Sequence, residues 1–207
     1  MPSGDTARPK WGPGRWPDEK ECISLLKKAG CSDRVIEHLK MVEAIALAIA
    51  DRIIARCAQP PEAQKASAAC NASVDAGLVR AGALLHDIGR GRTQGIRHAV
   101  EGAQIGWDLG LPEELLHIIE CHIGAGIALN EAIKLGLPPR DYIPVTVEEK
   151  IVTHADNLSG RHGKLKLQEV VDELERKGVP EIIPRMVALH KELSGLAGMD
   201  LDEINIK

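Results

Sequence analysis

His38, the adjacent pair His86 and Asp87, His98, His122 and Asp156 are of metal-ligand type and fall on or beside the apolar faces or the ends of separate helical segments. Imidazole and carboxylate together suit a first-row transition metal such as Fe, Mn, Zn, Co or Ni, whereas an all-oxygen set would suit Mg or Ca. Neighbours on a helix point about 100° apart and do not normally grip one ion. In the last turn of a helix both can converge, and a carboxylate has two oxygens with which to bridge two metals, so His86-Asp87 is the centre of the expected site. Arg90, Arg92 and Arg97 flank that pair, and Arg161 and Lys164, which follow the helix of Asp156, are of second rank. Guanidinium groups beside metal ions are natural clamps for phosphate oxygens.

Each of these residues also has an ordinary meaning. A histidine ending a helix is favoured by the dipole, a core histidine can simply be hydrogen-bonded, Asp156 could pair with Arg161, and an arginine cluster is usually a solvated loop. His98, in the first turn of its helix, could hold a metal, touch a phosphate or face solvent. His117 and His154 sit about 200° around their helices from Leu115 and Asp156, which puts them at the surface or behind the site. His162 and His190 carry no signal, and Cys121 reads as packing.

The elements that must position these residues are helical. Cys22, Leu25, Leu26 and Ala29 share a face that stops at Gly30. Ser32 caps a long helix bearing His38 and the stripe Val35, Leu39, Val42, Ala46, Ile49 and Ile53, ending before Pro60-Pro61. A third helix from about Ser73 delivers His86 and Asp87 just before Gly89. His98 opens a short helix closed by Gly110, and Pro112, Glu113 and Glu114 open the one carrying His122. Thr146 and Glu149 form a capping box for the helix of Asp156. Leu167 to Leu174, and Pro184 to Leu196, are two more. Sustained period-two alternation is missing, so the expectation is an all-α bundle of about seven to nine helices.

Residues 1–17 read as a mobile tail, 18–160 as the metal-binding domain with a loop insertion at about 58–71, and 161–207 as C-terminal helices packed on the same domain. The chain has 207 residues, no Phe, a formal net charge of −4 and five scattered cysteines without a C-x-x-C pair. That excludes a disulfide scaffold and a globally basic nucleic-acid binder. Reduced thiols, a soluble cytoplasmic protein, no membrane partner and no nucleic acid are expected; a homo-oligomer stays open. With neither G-x-S-x-G nor a P-loop, no side-chain nucleophile is indicated.

His38, LLHDIGR at 84–90, HAVEGA at 98–103, ECHIGAGI at 120–127 and HADNLSG at 154–160 together resemble the ordered signature of the HD-domain metal-dependent phosphohydrolase superfamily, HDIG subgroup. The texture is similar to a little-characterised, largely archaeal HDIG group and, more distantly, to bacterial symmetrical dinucleoside-tetraphosphate hydrolases. The resemblance implies that His38, His86, Asp87 and Asp156 hold one divalent metal, and that His98 and His122 hold a second. It implies hydrolysis of a phosphate ester or anhydride of a small phosphorylated substrate, nucleotide-like, by a metal-activated water. Asp87 and Arg90 would be catalytic, and Arg90, Arg92, Arg97 and Arg161 substrate-binding. The 47 residues between His38 and His86 exceed the family's usual gap, and Arg90 stands where many members have Lys. Two alternatives remain: a di-iron oxygenase on the same fold, or a non-catalytic metal- or nucleotide-binding sensor.

Overall fold

In the computed structural model, residues 11, 12, 14–60 and 72–206 are described. They form nine α-helices: α1 (Glu19–Lys28), α2 (Asp33–Cys57), α3 (Ala76–Leu85), α4 (His98–Asp108), α5 (Glu113–Cys121), α6 (Leu129–Lys134), α7 (Val147–Asn157), α8 (Leu167–Arg176) and α9 (Ile183–Ala197). Beside them are short 3-10 turns and a two-stranded antiparallel hairpin, β1 (Ser159–Gly160) with β2 (Gly163–Lys164). The fold is all-α, as the periodicity predicts. The insertion expected at 58–71 lies, from 61 to 71, outside the described residues, as do residues 1–10 of the expected tail.

Local chemistry sets the helix ends. Ser32 accepts from the amide of Val35, and Thr146 with Glu149 forms the reciprocal box that starts α7. Asp75 accepts from the amides of Gly77 and Leu78, so α3 begins at Ala76, three residues later than the apolar pattern suggests. Gly30 at φ 88° and Gly110 at φ 73° take the left-handed conformation that ends a helix.

The core is built around α3, whose Leu78, Val79, Ala81, Gly82, Ala83, Leu84 and Leu85 are all buried. A helix apolar but for Arg80 must be largely enclosed; α1, α2, α5 and α7 enclose it. A Cβ on Gly82 would stand 2.8 Å from Ile118 Cδ1, so the missing side chain lets α5 approach α3 closely. On α2 the buried face is Ile36, Leu39, Val42, Ile45, Ala46, Ile49, Ala50 and Ile53, with Val35 at its edge. α9 packs against α2 and α7. A second small core of Ile127, Ala132, Leu137 and Tyr142 supports the segment that follows His122.

Two expectations are corrected. Trp11 is buried and the Trp16 indole donates to Asp75 Oδ2 at 2.7 Å, so the chain just before α1 packs on the bundle instead of trailing as a mobile tail. Large indoles anchor a segment that lacks periodicity. Cys22, Cys31 and Cys121 are free and buried, but Cys57 is disulfide-bonded.

Candidate metal centre

The six residues arrive from five helices. His38 lies in the second turn of α2, His86 caps the C-terminus of α3 and Asp87 follows it, His98 is the first residue of α4, His122 caps the C-terminus of α5, and Asp156 sits in the last turn of α7. The glycine after the His86-Asp87 pair has a structural cause. A Cβ on Gly89 would stand 1.9 Å from the carbonyl oxygen of His98 and 2.7 Å from the Gly102 nitrogen. Backbone lies on backbone there, which seats the turn after Asp87 directly on the first turn of α4. Gly91 likewise lies against the Ala29 carbonyl, 2.0 Å from where its Cβ would be.

All six side chains converge. His38 Nε2 lies 3.0 Å and His86 Nε2 3.5 Å from Asp156 Oδ1, while His98 Nε2 lies 3.0 Å and His122 Nε2 3.5 Å from Asp87 Oδ1. Metal bonds of about 2.0–2.2 Å place neighbouring ligand atoms of one ion about 3 Å apart, the separation seen here. Three overlapping sets form: His38, His86, Asp87; His86, His122, Asp156; and Asp87, His98, His122. Asp87 is shared between the two ends, as a bridging carboxylate would be.

The hydrogen bonds behind the rings fix their tautomers. His86 Nδ1 donates to the Ala83 carbonyl at 2.9 Å, His98 Nδ1 to Gly95 at 2.8 Å and His122 Nδ1 to Ile119 at 2.8 Å. A carbonyl can only accept, so the proton of each neutral ring is at Nδ1 and the Nε2 lone pair points inward. His98 and His122 then bring two Nε2 atoms within 3.0 Å of each other, and the fully buried His86 Nε2 has no hydrogen-bond partner. Three Nε2 lone pairs thus converge with the oxygens of Asp87 and Asp156, a donor set that fits a divalent metal.

Electrostatics agree. Burial disfavours the Asp87 carboxylate, but the imidazoles of His122, His98 and His86 beside it outweigh burial and hold the group well below the usual carboxylate range. Burial likewise opposes the Asp156 carboxylate, and His86 and His38 overcome it. Burial would push His86 down, yet Asp156 and Asp87 raise it, whereas at His122 burial prevails and lowers it.

The expected arginines part company. Arg90 Nε donates to both Asp87 carboxylate oxygens, at 3.1 and 3.0 Å, and Nη1 to the Gln94 carbonyl. With Ser32, Arg34, Val35, His38, Asp87 and Gln94 it lines an open cavity of about 590 Å³ beside the cluster. Arg92 instead reaches toward Glu101 and Asp108, and Arg97 donates to the Gly136 carbonyl. Arg161 is exposed in the turn of the hairpin and is not among the residues lining the cavity. Arg92, Arg97 and Arg161 are thus not among the residues that line the cavity: loop proximity in sequence did not set side-chain direction. A larger groove of about 910 Å³ over α4 and α5 touches none of the six residues.

Residues 35–161 match the HD domain family. The chain belongs to it. This HD domain chain is 47% identical over 188 residues to a tRNA (cytidine(56)-2'-O)-methyltransferase of Thermoplasma volcanium, covering 91% of this chain and 50% of that protein. It is also 43% identical over 180 residues to an uncharacterized protein of Methanocaldococcus jannaschii, covering 86% and 97% respectively. The chain thus spans about half the length of the methyltransferases it matches. Among solved structures, the HD domain of the L. monocytogenes phosphodiesterase PgpH superposes with a TM-score of 0.51 at 18% identity, over 86% of this chain and 95% of that one, a likeness of fold. All six cluster residues fall within the matched span. Among the described residues no helix is long and apolar enough to cross a membrane.

Sequence reasoning missed a second histidine pair. His154, expected at the surface or behind the site, is fully buried, and its Nε2 lies 3.0 Å from His190 Nδ1; His190 Nε2 lies 2.9 Å from Asp200 Oδ1. Burial, then the charges of His190 and Lys164, push His154 down to about 3. The residues are far apart in sequence and share no helix, so no spacing signal joins them. His117 is exposed, as its position on α5 predicts. Arg34 was also missed, although it precedes His38 by four residues and so shares its helix face.

Proposed function

We propose that the chain is a phosphohydrolase that cleaves a phosphate ester or anhydride of a nucleotide-like small molecule with two divalent metals at the six-residue cluster. The convergence of three Nε2 lone pairs, each fixed by an Nδ1 bond to a carbonyl, on two ionised carboxylates supports this reading. When bound, the ions supply Lewis acidity toward phosphoryl oxygens and acidify a water.

The chain's own residues do the rest. His38, His86, Asp87 and Asp156 hold one position and Asp87, His98 and His122 the other, with Asp87 common to both. Arg90 holds Asp87 in register through its Nε, which donates to both carboxylate oxygens, and its guanidinium stands at the cavity wall where phosphoryl charge develops. Asn157 donates to the Thr153 carbonyl and to Gly124, tying the end of α7 to the segment after His122. The cavity opens to solvent.

A second reading places an RNA end in the same site, favoured by the names of two similar proteins, the T. volcanium tRNA methyltransferase and a ribonuclease Y of Acidothermus cellulolyticus, 31% identical over 133 residues. The formal net charge of −4 favours the small molecule. Turnover of mononucleotides, dinucleoside polyphosphates and short oligoribonucleotides by protein purified without chelators, with metal analysis of the same sample, tests both. Cleavage confined to the small molecules supports the proposal; cleavage confined to RNA replaces it with the second reading.

A further inference from the structure

We infer that the cavity beside the cluster is a subsite for a second phosphate, held by Arg34 and Arg90, so that the substrate carries two linked phosphates, as in a nucleoside di- or triphosphate. The inference rests on the phosphohydrolase reading and narrows it. Arg34 is in the first turn of α2, one turn ahead of His38, and both side chains line the cavity. Arg80 pairs with Glu43, Arg140 with Glu120 and Arg185 with Glu131, and none of these three lines the cavity. Arg34 has no ion-pair or hydrogen-bond partner among the described residues, although it stands at the mouth of a site built around two carboxylates.

Arg90 contributes a second free edge. Its Nε and Nη1 are committed to Asp87 and the Gln94 carbonyl, which leaves Nη2 without a partner among the described residues. The only acid in the cavity lining, Asp87, is already matched by His98, His122 and Arg90. Two guanidinium groups set to one side of the cluster therefore supply more positive charge than one phosphoryl group over the metals needs. Guanidinium forks match phosphate oxygens, and a neighbouring phosphate joined through a bridging oxygen would fall in this space. The 590 Å³ volume lies within the range of small-molecule sites, about 300–1,000 Å³. An RNA strand would instead offer its next phosphate a whole nucleoside away, and no Phe, Tyr or Trp lines the cavity to stack an unpaired base.

Calorimetric titration of the manganese-loaded protein with inorganic pyrophosphate and with inorganic phosphate reads the subsite directly. Wild-type protein should bind pyrophosphate at least about tenfold tighter than phosphate; Arg34→Ala should remove most of that preference with unchanged metal content, and Arg34→Lys should keep part of it. In turnover, Arg34→Ala should raise KM for a nucleoside diphosphate about tenfold while leaving KM for the monophosphate and both kcat values in place. Equal binding of the two anions by wild type, or a preference untouched in Arg34→Ala, overturns the subsite. Arg34-dependent pyrophosphate binding in a protein that hydrolyses no phosphoester keeps the subsite and overturns the enzyme reading; hydrolysis indifferent to Arg34 does the reverse.

Discussion

His86, His98 and His122 each commit Nδ1 to a backbone carbonyl and aim Nε2 at one another and at Asp87 or Asp156, whereas His154 and His190 form a line that ends on Asp200. The residue types are the same and both clusters are buried, yet the wiring differs. In the first, three Nε2 lone pairs converge on two carboxylates, which a bound cation would resolve. In the second, ring nitrogens alternate along a chain of hydrogen bonds toward an exposed carboxylate, which needs no ion to hold α7 against α9. Ring wiring separates a ligand from a strut better than residue type or burial does.

Breaking the comparison at its centre should have the largest effect. Asp87→Ala or His86→Ala should release both metals and lower turnover by about a thousandfold or more, while His190→Ala keeps metal content and kcat. Metal analysis and kinetics on the same preparations check this, and metal loss in His190→Ala would erase the distinction. Arg90→Ala should lower kcat and kcat/KM together by about a hundredfold, on the order of 3 kcal/mol, with metal retained. A rise in KM alone would reduce Arg90 to a substrate contact.

Gly89→Ala sharpens the same point from the backbone. Its methyl would strike the His98 carbonyl, so α4 must move and carry His98 off Asp87. A cost of about 1–3 kcal/mol, read as a lower Tm, should come with weaker occupancy of the second metal position. His190→Ala should cost about 1–3 kcal/mol by leaving His154 without its partner, with no effect on metal. Chelation should lower the Tm of wild type, because ligands bound only by the folded state stabilise it, and should do so little in Asp87→Ala.

Much of the fold was legible because helix ends are local. The caps at Ser32 and Thr146, the stops at Gly30 and Gly110, and the enclosed apolar run of α3 follow from neighbours in sequence. The six cluster residues were legible for a related reason: each sits at a helix end or beside an apolar face, and their order resembles a known family. What depends on tertiary direction was not. Arg92 and Arg97 flank the same turn as Arg90 but are drawn away by Glu101, Asp108 and the Gly136 carbonyl. His154 and His190 meet only because α9 packs on α7. Two strands of two residues each are too short to leave a period.

On the proposed function the six-residue cluster hydrolyses a phosphate bond, rather than holding an iron pair that activates dioxygen. Manganese-loaded protein, assayed under strict exclusion of oxygen on a nucleotide panel in water enriched in heavy oxygen, tests it most directly. Hydrolysis needs only Lewis acidity and water, so turnover should persist and place the heavy label in the product phosphate or phosphate ester. Turnover that appears only with iron and dioxygen, with no label on phosphorus, would contradict the account while leaving the HD fold in place.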